Sequence, residues 1–204
     1  MDNKDMLKNI SKENSHKLQK DLEDELKIKK EDEQKKLDLG DRTTTLEVIE
    51  RLFKSSKLTG WIKSKNYQLY NQKNLSIIIN MSGKDDLINS KKDVILKNGE
   101  IYTQNKHYLS IKKEYSEKVF MCSYKVVEEF FNTIPSLYKI YISIYTTEEE
   151  KDEQLCVLSM EVNKDQYNSI KDRTSGIIEK VDFFQANYSY DTKTYDFKEI
   201  EPVS

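Results

Sequence analysis

The chain has 204 residues, of which 34% are charged and 36% are apolar, and its formal charge is −2. This balance neither attracts nor repels nucleic acid strongly, and two cysteines are too few for a disulfide framework. No apolar run is long enough to span a membrane, and the first residues lack the apolar region of a secretory signal. We therefore expect a cytoplasmic protein with no membrane partner.

Residues 1–40 are dense in charge and carry only a narrow apolar stripe, which includes Leu18, Leu22 and Leu26. The stripe predicts an amphipathic helix or one strand of a short coiled coil. Two interpretations are open: a solvated helical or disordered arm, and a helix that docks on a partner protein or on a second copy of the chain. Residues 41–204 are then expected to form a single domain.

The domain is predicted to begin with a helix and a hairpin. Thr44 and Glu47 have the spacing of a capping box, which predicts a core-packed helix over residues 45–56. Between residues 66 and 79 the apolar period changes to two around a turn-rich stretch at 71–74, which indicates a β-hairpin.

Asn98 and Gly99 give the strongest turn signal, because this dipeptide tolerates the positive φ angles of a type I′ turn. Such a turn joins two strands and places Leu96 opposite Ile101. Residues 107–111 are predicted as a further strand.

Helical spacing returns later in the chain. It predicts a helix from Tyr124 to Ile134 and a second, capped helix over residues 164–171. Residues 177–190 and 194–200 are predicted to be strands.

Residues 137–162 carry the clearest structural signal, two alternating strands joined by a charged loop. Ile140, Ile142 and Ile144 alternate with other side chains, as one face of a half-buried strand requires. Placing both apolar rows on one face predicts the pairs Ile144 with Cys156, Ile142 with Leu158 and Ile140 with Met160.

The elements together predict an α+β fold. Three or four hairpins and two or three packed helices follow the charged N-terminal helical arm. Because the strands are expected to meet through short turns, the sheet is predicted to be mainly antiparallel. Cys122 and Cys156 have apolar neighbours and are expected to be buried free thiols.

Tyr141 and Tyr145 lie on the strand face opposite the isoleucine row. Tyrosine is common at binding surfaces, since it joins a large apolar body to a polar tip. Either this face is open to a protein partner, or a helix of the same domain covers it.

Residues 51–84 contain no Asp or Glu, while basic and aromatic side chains interleave along them. Lysines contact phosphates and aromatic rings stack on bases, so the composition is typical of a groove for single-stranded nucleic acid. The candidate contacts are Arg51, Lys54, Lys57, Trp61, Lys63, Lys65, Tyr67, Tyr70 and Lys73.

Few residues in the sequence suggest catalysis. A metal-dependent phosphodiesterase needs several carboxylates near strand ends, for which Asp93, Glu161 and Asp182 are candidates. The acidic run at residues 148–153 lacks the spacing of a Ca²⁺ loop, and a cysteine–histidine dyad requires His107 to meet a thiol. No catalytic residue, metal ligand or cofactor is therefore assigned.

We predict a non-catalytic binding or adaptor protein that engages another protein through its N-terminal arm or its tyrosine face. The alternative is a nucleic-acid-binding protein that uses residues 51–84, and a metal-dependent phosphodiesterase is the third interpretation.

Lys, Asn, Ile and Tyr are abundant and have AT-rich codons, so we expect an AT-rich genome, such as that of a phage or another mobile element.

Overall fold

The computed structural model describes residues 3–55, 58–148 and 153–203, in which six helices and eight strands occur. The helices are α1 (Asn3–Asp38), α2 (Arg42–Ser55), α3 (Lys84–Leu87), α4 (Tyr108–Thr133), α5 (Lys164–Ile170) and α6 (Ile177–Phe183). The strands are β1 (Ile62–Tyr70), β2 (Asn74–Met81), β3 (Lys91–Ile95), β4 (Ile101–Asn105), β5 (Lys139–Glu148), β6 (Glu153–Asn163), β7 (Asn187–Tyr190) and β8 (Phe197–Lys198).

Six strands form one sheet in the order β1-β2-β5-β6-β7-β8, and β3 with β4 forms a separate two-stranded ribbon. Neighbouring strands are antiparallel except β2 and β5, which are parallel because the chain returns between them through α4. The predicted α+β fold with a mainly antiparallel sheet is confirmed. A helical crossover occurs where only short turns were expected, and, among the described residues, five helices follow α1 where two or three were predicted after the arm.

The hydrophobic core lies between the helices and one face of the sheet, called here the inner face. Ile77 of β2 lies beside Ile142 of β5, which lies opposite Met160 of β6, and each is only 1% exposed. Helices α2, α4, α5 and α6 bury apolar side chains in the same cluster. Phe120 of α4, for example, meets the ring of Tyr188 edge-on, with 5.1 Å between the centroids. The molecule therefore has a helical layer on one side of the sheet.

From Leu158 to Val162 the β5–β6 hairpin has the predicted faces but not the predicted register. Ile142 lies opposite Met160 instead of Leu158, and Leu158 lies opposite Ile144. A shift of two residues leaves each side chain on its own face, so alternation alone does not distinguish the two registers.

The turns of the other two hairpins differ from each other. In β1–β2, Asn71 and Gln72 both have positive φ, 49° and 59°, and the predicted hairpin is confirmed. In the β3–β4 ribbon, Ile95 instead of Leu96 lies opposite Ile101, so the predicted register is wrong by one residue. A type I′ turn needs positive φ at both central residues, and of this pair only Gly99 has it (84°). A longer loop therefore joins these strands.

Helix α2 begins at Arg42, earlier than predicted, because its cap is Asp41 and not Thr44. The Asp41 Oδ1 atom accepts hydrogen bonds from the Thr44 hydroxyl at 2.7 Å and from the Thr44 backbone N–H at 2.8 Å. These bonds hold the pKa of Asp41 below its ordinary value. A capping carboxylate thus fixes the entry into the first core helix.

Helix α4 begins at Tyr108, so the predicted strand at residues 107–111 is wrong. The His107 side chain caps this helix, since its Nδ1 atom accepts a hydrogen bond from the Leu109 N–H at 3.3 Å. The helix continues to Thr133, and Pro135 follows it.

The two short helices near the end of the chain give opposite outcomes. The capped helix predicted at 164–171 is confirmed as α5, with Asn163 and Gln166 forming its capping box. Residues 177–183, predicted as a strand, form α6, and the strand β7 follows it.

The end of α1 belongs to the core of the domain. Leu37 is 2% exposed and lies in the main hydrophobic cluster. The division of the chain at residue 40 stays a prediction, and a truncation meant to preserve the core needs to retain Leu37.

Candidate functional site: the outer face of the sheet

The outer face is the side of the six-stranded sheet that points away from the core. Period-two alternation with the buried rows identifies its side chains. On the four longest strands of the sheet they include Ser64, Asn66, Gln68, Tyr70, Asn74, Ser76, Ile78, Asn80, Lys139, Tyr141, Ser143, Tyr145, Ser159 and Glu161. Helices α2, α4, α5 and α6 direct their buried apolar side chains to the other side. The outer face is thus rich in Ser, Asn and Tyr.

The centre of this face combines one exposed aliphatic side chain with two aromatic ones. Ile78 is 39% exposed and lies beside Ser143 in the parallel β2–β5 pair. Tyr141 and Tyr145 lie two residues before and after Ser143. They are therefore the diagonal neighbours of Ile78. Both tyrosines are half-buried, and burial raises the pKa of Tyr145.

The charged side chains among the outward residues named above form one ion pair. Lys139 contacts Glu161 across the β5–β6 hairpin, and this contact raises the pKa of Lys139. The Lys139 ammonium also lies 5.5 Å from the centroid of the Tyr141 ring. These two charges cancel, so the outward side chains named above contribute no net charge.

A β-bulge adds a thiol to this face. The register changes between Ile144 and Tyr145, so Val157 is the extra residue and Cys156 lies opposite Tyr145. The bulge therefore turns Cys156 away from the core side, where it was predicted. The predicted burial is confirmed, since Cys156 is 3% exposed and burial raises its pKa.

Residues 199–203 cover the part of the outer face that lies on β6. The Val203 N–H donates to the Ser159 hydroxyl at 2.9 Å, and the hydroxyls of Ser159 and Ser143 lie 2.9 Å apart. Both serines are buried, with Ser159 only 1% exposed. Residues 199–203 do not cover Ile78, which is exposed, and Tyr141 and Tyr145 are half-buried.

The basic residues of 51–84 lie on different surfaces. Arg51 donates two hydrogen bonds to the carboxylate of Glu33, at 2.6 and 2.9 Å, and the contact raises the pKa of Arg51. Lys65 lies 3.4 Å from a carboxylate oxygen of Glu50 and faces α2. Carboxylates outside the stretch thus already engage two of its cations.

The aromatic residues of this stretch do not share a face either. The Tyr67 hydroxyl donates to Glu50 at 2.5 Å on the inner side, whereas Tyr70 lies on the outer face. Trp61 is half-buried, with the Lys118 ammonium 5.0 Å from its ring. The remaining predicted contacts are exposed lysines, Lys54, Lys63 and Lys73, and Lys57 lies outside the described residues.

The predicted arm contacts are only partly described. Leu22 and Leu26 are 53% and 57% exposed, and the side chain of Leu18 lies outside the described part. Whether this stripe docks on a partner stays a prediction.

The candidate catalytic residues are dispersed. Asp93 accepts a hydrogen bond from Thr103 in the ribbon, Asp182 accepts one from Tyr188, and Glu161 is paired with Lys139. Within residues 3–55, 58–148 and 153–203, no group of three or more His, Cys, Asp or Glu side chains is placed to hold a metal ion.

The thiol of Cys122 is also remote from His107. The two residues are half the length of α4 apart, about 22 Å along the helix axis. Burial raises the pKa of Cys122 to about 12, so its thiol is protonated at neutral pH. These two residues cannot act as a dyad.

Comparisons with known proteins give no relative: no protein-family model, no curated protein and no solved structure matches the chain. Among the described helices, none is both long enough and apolar enough to cross a lipid bilayer. The function has to be argued from the surface itself.

One residue of this surface was missed in the sequence. Ile78 belongs to the run 75–79, which was predicted as part of a hairpin without an assignment of its side chains to faces. Strict period-two counting from Leu75 and Ile77 would have placed it outward, since these neighbours are buried.

Proposed function

We propose that this protein is a non-catalytic protein-binding or adaptor protein whose contact surface is the outer face of the sheet. The observation that carries the proposal is the placement of Ile78 between Tyr141 and Tyr145 on a face rich in Ser and Asn. Tyrosine supplies large contact area at low entropic cost, and Ser and Asn supply adaptable hydrogen bonds, as in antibody binding sites.

The charge of the outer face favours a protein over a nucleic acid as the partner. Phosphate contacts require several cations along one groove, and a paired Lys139 is the one cation among the outward side chains named above. An exposed aliphatic centre among polar, mostly uncharged side chains instead fits an apolar patch with a polar rim on another protein.

Affinity measurements with single-residue variants test the proposal. The full chain is used to capture partners from a host extract, and binding of each purified partner is then measured. We expect Tyr141→Ala and Ile78→Ser each to weaken binding about tenfold or more. Tyr138→Ala, which removes a tyrosine 50% exposed outside this face, is the matched control and should leave affinity within about twofold. Equal affinity of all three variants would contradict the proposal.

The nucleic-acid alternative predicts a different result. Single-stranded DNA or RNA should then bind with an affinity that falls steeply with salt, and Lys63→Glu with Lys73→Glu should weaken it further. Titration of fluorescent single-stranded probes at low salt decides between the two, because the outer-face proposal predicts no such binding.

A further inference from the structure

The β3–β4 ribbon exposes four large apolar side chains to solvent. Ile95 is 74% exposed, Ile101 69%, Tyr102 57% and Leu96 44%. A two-stranded ribbon without a packed face is marginally stable in water, and contiguous exposed apolar side chains usually mark an interaction site. The ribbon therefore needs something to pack against.

These side chains lie on both sides of the ribbon. Ile95 lies opposite Ile101 on one side, and Tyr102 lies opposite Val94 on the other, with Leu96 on the same side as Val94. A flat surface can cover only one side at a time. A cleft that encloses the ribbon covers both.

The charges of the ribbon indicate which charges should border a cleft that encloses it. Lys91, Lys92 and Lys97 are exposed and form no ion pair within the described part of the chain. Asp93 and Glu100 are also exposed, and each is hydrogen-bonded within the ribbon: Asp93 accepts from Thr103 at 2.6 Å and Glu100 accepts from the Asn98 amide at 2.8 Å. Lys91 and Lys92 lie at the base of the ribbon, at the far end from its tip. A cleft that receives the tip would therefore have its border next to these two ammonium groups.

We propose that the β3–β4 ribbon is a docking arm that inserts into an apolar cleft of a partner protein, and that carboxylates border this cleft. The arm is separate from the outer face and does not depend on its function. A membrane is a poorer occupant, since the extreme tip is the polar sequence Lys97-Asn98-Gly99-Glu100, which would enter the hydrocarbon first. Stacking on the ribbon of a second copy would cover one side only.

Photo-crosslinking from the two sides of the ribbon tests the docking arm. p-Benzoylphenylalanine is placed at Ile95 or at Tyr102 of the full chain, with Tyr138 as the control position, and the protein is illuminated in host extract. Both ribbon positions should link to the same protein and the control should not. The linked peptides should contain apolar residues flanked by Asp or Glu.

Charge reversal provides a second measurement that leaves the apolar contacts in place. Lys91→Glu combined with Lys92→Glu should lower the yield of the same crosslink about tenfold, because like charges would then face each other. Tyr138→Ala, which lies outside both the ribbon and the outer face, is the control and should leave the yield unchanged. Crosslinks to a second copy or to lipid, crosslinks from one side only, an unchanged yield after charge reversal, or no product at all would each overturn the proposal.

Discussion

The two faces of the sheet are built from the same strands yet have opposite character. On β5, Ile142 is buried among helices, whereas its neighbour Tyr141 is half-buried on a face with few apolar side chains. The inner face gains stability from apolar area removed from water, and the outer face keeps polar groups available to other molecules. The core row and the row of the proposed contact surface are therefore one residue apart along the chain, and substitutions on the two faces should have different effects.

The largest effect is expected on the inner face. Ile142→Ala removes buried methyl groups between Ile77 and Met160 and leaves a cavity, so it should lower the free energy of unfolding by about 2–5 kcal/mol. Urea unfolding of the variant beside the parent protein measures this. A variant as stable as the parent would mean that this row is not the centre of the core.

The same strand shows how much of the fold was predictable. Alternation placed the Ile142 row inside and the Tyr141 row outside, because the period of a strand is two. It could not fix the register, since a slip of two residues preserves both faces. The bulge at Val157 depends on packing with the rest of the sheet and leaves no local pattern that we could have used.

A helical spacing that the strand prediction did not use explains the difference at residues 107–111. Residues 107–111 contain apolar positions compatible with a strand, but Ile111 continues into the stripe of Tyr115 and Val119, whose four-residue spacing is helical. The parallel pairing of β2 with β5 follows from that longer helix. At the candidate site, Tyr141 and Tyr145 were predicted on the correct face. Ile78 was not assigned to that face, because its immediate neighbours Ile77 and Ile79 are also apolar.

The buried serine pair should give an intermediate effect. Ser159→Ala leaves the Ser143 hydroxyl and the Val203 N–H without this partner, so it should cost about 1–3 kcal/mol. Adding Ser143→Ala should cost less than its own single effect, because the hydroxyl that lost its partner is then gone. Urea unfolding of the two singles and the double forms a mutant cycle. Strict additivity would show that the two hydroxyls are not coupled.

An inner-face tyrosine provides a contrast through its pH dependence. Burial, together with the hydrogen bond to Glu50, raises the pKa of Tyr67 to about 12. In the unfolded chain this pKa is about 10, so the stabilising contribution is complete below about pH 10 and is lost as the pH rises towards 12.

Tyr67→Phe tests this contribution. The variant should be about 1 kcal/mol less stable at neutral pH, because the bond to Glu50 is lost. It should also lose less stability than the parent between about pH 10 and pH 12. Chemical unfolding across this range compares the two proteins. Parallel losses in both would show that Tyr67 does not titrate differently on folding.

The smallest effect on stability is expected at Tyr141. Its ring is half-buried and contacts Lys139, but among the described residues α2, α4, α5 and α6 pack on the other side, so Tyr141→Ala should cost less than about 1 kcal/mol. Urea unfolding beside Ile142→Ala compares neighbouring residues of one strand under identical conditions. A cost equal to that of Ile142→Ala would mean that the outer face is covered and contributes to the core. A small cost would mean that Tyr141 contributes little to folding, as expected for a side chain on an open contact surface.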